Sequence, residues 1–108
     1  MAERTIIFNQ PDLWRGESIQ TFQVRINNPD ASPLVPVGVC GQILDRFNDE
    51  VYRYTPHINI ADGTVTFDKV EADWSKGTYT LDVWYLFGSG DRRKYVTGSV
   101  TVKGEKPC

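Results

Sequence analysis

The 108 residues include two cysteines, one histidine and one methionine, and these scarcities remove whole classes of function. Cys40 sits inside an apolar segment and Cys108 is the last residue, too few and too poorly placed for a disulfide-stapled scaffold. Both read as free thiols, with Cys40 expected to be buried and inert. His57 has no nearby cysteine or second histidine with which to build a zinc site of the usual kind, so it reads as a solvated loop residue. No apolar run approaches the length of a membrane span, and the opening Met-Ala-Glu-Arg-Thr carries charge where a secretory leader needs apolar residues. The expectation is a chain that starts in a cytosol and has no membrane partner, which the lack of Asn-x-Ser/Thr acceptor sites also suits. Excess charge of one sign is missing too. Twelve Lys and Arg stand against 14 Asp and Glu, a net charge of −2, which gives no basic field for nucleic acid.

Helical periodicity is absent as well: no segment keeps apolar spacing over three helical turns. Short bursts of period-two alternation, separated by Gly, Pro, Asn and Asp, mean strands. The first runs from Arg4 to Asn9 and the second from Ser18 to Ile26, with Phe22, Val24 and Ile26 on one face. A long strand is expected over Leu34 to Arg46 and a short edge strand over Val51 to Thr55, before Pro56. Ile58 to Ile60 leads through Asp62-Gly63 into Thr64 to Lys69, a hairpin signal. Thr78 to Phe87 and Arg92 to Lys103 pair across Gly88-Ser89-Gly90-Asp91. The expected register sets Tyr79, Leu81, Val83 and Tyr85 opposite Val100, Gly98, Val96 and the Lys94 stem, an apolar face. Thr78, Thr80, Asp82 and Trp84 then face Thr101, Ser99, Thr97 and Tyr95 on the solvated side. About seven strands with no helix to cover a sheet imply an all-β, immunoglobulin-like antiparallel sandwich. Residues 1–103 are expected to form its single domain and residues 104–108 a short tail.

Several constellations could carry function. Gly77 followed two residues later by Tyr79 at the start of the penultimate strand matches the tyrosine corner of such sandwiches. That role is structural. Trp84 and Tyr95, with Leu86 and Arg93 alongside, are the candidate partner-binding group, because Trp, Tyr and Arg are enriched at interface hot spots. The alternative is a cross-strand aromatic pair that serves only the sheet. Arg92-Arg93-Lys94 adds a local positive patch. Acidic residues at Asp45, Asp49 and Glu50, and at Asp68, Glu71 and Asp73, fit no calcium-loop spacing and read as solvated turns. Gly88-Ser89-Gly90 leads into a strand and not a helix, so it is a hairpin loop and no phosphate cradle. There is no Gly-x-Ser-x-Gly elbow. No catalytic residue, metal site or cofactor is expected, and the chain reads as a binding protein and not an enzyme.

Three stretches carry a resemblance: Trp14-Arg15-Gly16-Glu17 with the strand ending Phe22-Gln23-Val24; Gly77-Thr78-Tyr79-Thr80-Leu81-Asp82-Val83; and Gly98-Ser99-Val100-Thr101-Val102. Together, over residues 12–102, they resemble the small Ig-like modules of tailed-bacteriophage virions, such as the N-terminal domain of baseplate upper proteins and related head or tail accessory proteins. The resemblance implies a non-enzymatic virion component, assembled in the host cytoplasm and docking on other virion proteins, with self-association in the particle as one form. Baseplate proteins carry further domains after this module, so the expected role is head decoration, cement or connector accessory. No catalytic residues come with the resemblance. The alternative reading from the residues is a carbohydrate-binding sandwich whose sheet-face aromatics stack on sugar rings.

Overall fold

Alternating apolar side chains need a second apolar layer, and the computed structural model, which describes residues 6–106, supplies it with another sheet. Among the described residues there is no helix. Ten strand segments follow one another: β1 (Ile6–Asn9), β2 (Ser18–Ile19), β3 (Phe22–Val24), β4 (Gly38–Leu44), β5 (Glu50–Arg53), β6 (His57–Ile58), β7 (Val65–Phe67), β8 (Val70–Glu71), β9 (Gly77–Leu86) and β10 (Arg92–Val102). One sheet has the order β1-β10-β9-β4-β5; facing it are β3-β7-β6 and the β2-β8 pair. The pairings Ser18 with Glu71 and Phe22 with Phe67 belong to one unbroken register. β2–β3 and β7–β8 are therefore two long strands, each interrupted once, where Thr21 Oγ1 accepts the Lys69 N–H at 3.0 Å. The protein is an all-β, immunoglobulin-like sandwich.

The core lies where the sequence pattern puts it. Tyr79, Leu81, Val83 and Tyr85 of β9 are buried with Val96, Val100 and Val102 of β10, and Ile19, Val24, Val65 and Phe67 meet them from the other sheet. Phe67 stacks on Phe22 at 4.7 Å and meets Tyr54 edge-on at 5.3 Å. Each arrangement adds a specific geometry to the area buried. Gly41 makes this approach feasible, since a Cβ there would stand 2.7 Å from the Phe67 ring.

Four expectations are corrected. Leu34 to Val37 is not strand: β4 starts at Gly38, because Pro33 and Pro36 lack the N–H that a ladder needs. The first strand, β1, joins β10 in parallel and not antiparallel, while Arg4, Thr5 and Cys108 lie outside the described residues. Cys40 is half-exposed, not buried. Most consequential is a bulge in β10. From Val96 to Val102 the register is the expected one, but between Lys94 and Val96 it shifts, so that Lys94 and not Tyr95 lies opposite Trp84. An extra residue on one strand reverses the facing of everything beyond it. Tyr95 turns inward, is 5% exposed, and packs edge-on against Tyr85 at 5.1 Å.

Candidate functional site

The same shift decides what the outer face of the five-stranded sheet displays. Trp84 is flanked in its row by Lys94 on β10 and Cys40 on β4. Leu86, half-buried on the same face, is flanked by Arg92 and Gly38. Of the four residues expected to form a partner-binding group, Trp84 and Leu86 are brought together. Tyr95 and Arg93 are not: Tyr95 is core, and Arg93 pairs with Tyr85, on the face opposite Trp84. Arg92 and Lys94 take their places. Sequence alternation alone points to the wrong pair because a bulge leaves no mark in composition; the one available signal is that an outward Tyr95 requires Lys94 to face the core.

The geometry is that of a clamped indole. The Arg92 guanidinium carbon is 5.6 Å and the Lys94 ammonium 5.4 Å from the Trp84 ring centre, both within cation–π range. Lys94 is held there from the other side by Asp82, whose Oδ1 lies 3.7 Å from Nζ. Among the described residues Asp82 is the one charged residue that is buried, 8% exposed, and it also accepts the Thr97 hydroxyl at 2.9 Å. A carboxylate so covered needs these partners. Across Trp84, Arg53 is ion-paired to Glu50 at 2.9 Å and donates from Nη1 to Cys40 Sγ at 3.5 Å. The hydrogen bond to Glu50 is the main cause that raises the Arg53 pKa above its ordinary value. Towards β1 the face continues as a groove of about 640 Å³ lined in part by Ile7, Asn9, Thr80, Thr97 and Ser99.

The remaining candidates fall elsewhere. Tyr79 Oη donates to the Ser75 carbonyl, the bond that defines a tyrosine corner. His57 Nε2 lies 3.0 Å from Asp68 Oδ2, both well exposed. They lie in or beside the other sheet, on a different layer from Cys40, the only described thiol. Among the described residues no group of three or more His, Cys, Asp or Glu is placed to hold a metal ion, and no helix is long and apolar enough to cross a membrane.

No family model matches the chain, and no curated protein matches it either. A solved structure does: CopC from Methylosinus trichosporium OB3b, at 14% identity and a TM-score of 0.55, covering 99% of this chain and 90% of that one. At that identity the likeness is one of fold. It also corrects the virion reading. The solved structure matched is CopC, which points away from a phage module, and the resemblance rested on short Gly, Tyr and Val spacings that any Ig-like sandwich needs for its turns and its core. A head decoration, cement, connector or tail accessory role in a virion is withdrawn.

Proposed function

We propose that this chain is a non-catalytic binding module that docks an acidic protein surface on the outer sheet face around Trp84. The observation that carries the reading is the cation-flanked indole. Trp84 and Leu86 offer apolar contact, and Arg92, Lys94 and Arg53 surround them on a chain whose net charge is −2. Apolar anchors in a charged rim are the usual anatomy of a protein interface. The positive rim selects an acidic partner and speeds the encounter. A sugar ring stacking on Trp84 would compete with the two cations for the indole, whereas an acidic side chain can pair with Arg92, which has no carboxylate within ion-pair distance among the described residues. For catalysis the layout offers little: His57 and Cys40 lie on different layers, and the carboxylate nearest Trp84, Asp82, is committed to Lys94 and Thr97.

The test is an NMR titration of the whole chain with a Glu/Leu peptide, its Gln/Leu counterpart and a linear oligosaccharide. The expected result is a saturable shift of the Trp84 indole N–H with the Glu/Leu peptide. Exchanging both flanking cations (Arg92→Glu with Lys94→Glu) should weaken it by about tenfold or more, equivalent to ~1.4 kcal/mol. Added salt should weaken it as well. Equal binding of the Gln/Leu peptide, or a response to the oligosaccharide alone, overturns the assignment.

A further inference from the structure

At the other end of β9 the loop Asp73 to Lys76, the β4–β5 hairpin tip and Arg15 enclose a cleft of about 410 Å³. That volume is in the range of small-molecule sites. Its floor is aromatic and fixed. Trp74 packs on Tyr79 with ring centres 5.2 Å apart, and the Tyr79 hydroxyl is tied to the Ser75 carbonyl. Its wall is Phe47, 70% exposed at the hairpin tip, with the Arg46 guanidinium 4.9 Å from the ring centre. The ring thus offers an accessible aromatic surface at the mouth of the cleft.

The cleft lining carries three cations, Arg15, Arg46 and Lys76, against two carboxylates, Asp45 and Asp73, and Arg15 also reaches Glu105 at 3.5 Å. Asp73 is taken by Arg15 at 2.9 Å. Asp45 caps the hairpin, where its Oδ1 accepts the N–H groups of Phe47 and Asp49 at 2.8 and 3.0 Å. Arg46 and Lys76, also on the lining, have no carboxylate within ion-pair distance among the described residues. Arg46, held over the Phe47 ring, and Lys76 are therefore the two cations of the lining that no carboxylate of the described residues pairs with.

We infer that this cleft binds a small aromatic carboxylate, its carboxylate between Arg46 and Lys76 and its ring against Phe47 and Trp74. A guanidinium presents a planar fork that matches a carboxylate, and an aromatic ring uses the exposed face of Phe47. The site is separate from the Trp84 face and stands or falls independently of it.

Gly77 gives a test that leaves every charge in place. It lines the cleft, and a Cβ there would meet nothing within 4 Å, so Gly77→Val narrows the site without straining the fold. In an NMR titration with phenylacetate, the Trp74 indole and the Lys76 amide should shift saturably. Phenylacetamide and inorganic phosphate should bind about tenfold more weakly or not at all. Arg46→Gln and Lys76→Gln should each weaken phenylacetate binding several-fold, and Gly77→Val should abolish it while the remaining spectrum stays native. The inference is overturned by absence of a saturable shift with phenylacetate. It is equally overturned by phenylacetamide or phosphate binding as tightly, or by Gly77→Val binding like the native chain.

Discussion

The hydroxyls of Tyr54 and Tyr85 are buried without a hydrogen-bond partner, and at the level of single residues this is the most informative detail of the core. Their rings are fully used: Tyr85 meets Phe87 and Tyr95, and Tyr54 meets Phe22, Tyr52 and Phe67. The oxygens contribute nothing comparable, and an unsatisfied buried polar group costs about 1–3 kcal/mol. Tyr85→Phe and Tyr54→Phe should thus each leave stability unchanged or raise it by up to about 1 kcal/mol in urea denaturation. A loss of more than that would mean that the hydroxyls are hydrogen-bonded in solution. Tyr79 differs, because its hydroxyl holds the Ser75 carbonyl.

Among the elements, β1 depends on a single position. Gly98 faces Phe8 across the parallel pair, and a Cβ there would stand 2.3 Å from the Phe8 carbonyl oxygen. Gly98→Ala should push β1 off β10 and cost about 1–3 kcal/mol. Amide exchange should then show residues 6–9 unprotected while β9 keeps its protection; unchanged exchange at those positions would refute the dependence. The strand pattern shows how far the sequence alone could lead. Tyr79, Leu81, Val83 and Tyr85 declare the inner face of β9 by simple alternation, and Asp62-Gly63 marks the turn between β6 and β7. Alternation assumes a constant period of two, so it is blind to a bulge, and the bulge lies in the middle of the candidate site. That is why Trp84 and Leu86 were legible while Arg92 and Lys94 had to be seen in three dimensions. The Arg46, Phe47, Trp74 and Lys76 cleft was illegible for another reason: its walls come from segments distant in the chain, the hairpin tip at Phe47 and the loop at Trp74, and no local pattern records which loops meet.

For the molecule as a whole, the buried tyrosines set a limit in alkali. Burial first, and then the neighbouring Tyr95, push the Tyr85 hydroxyl up to about 12, and burial with Tyr52 raises Tyr54. The folded state holds these protons more tightly than the unfolded chain, whose tyrosines titrate near 10. Their contribution is intact below about pH 10 and is lost as the pH rises towards 12 and beyond, at up to ~1.4 kcal/mol per pH unit for each tyrosine. Thermal melts should therefore fall steeply above about pH 10, and the Tyr54→Phe, Tyr85→Phe double variant should flatten the fall; an unchanged slope would contradict it. The parallel docking of β1 on β10, extended by the contact of Leu13 with Val102, reaches beyond stability to biosynthesis. β1 is made before its partner β10, with all the other strands between them, so it must wait, unpaired, until β10 has emerged. Completion of this sheet consequently follows the synthesis of β10, and β1 is exposed to mispairing and proteolysis in the interval.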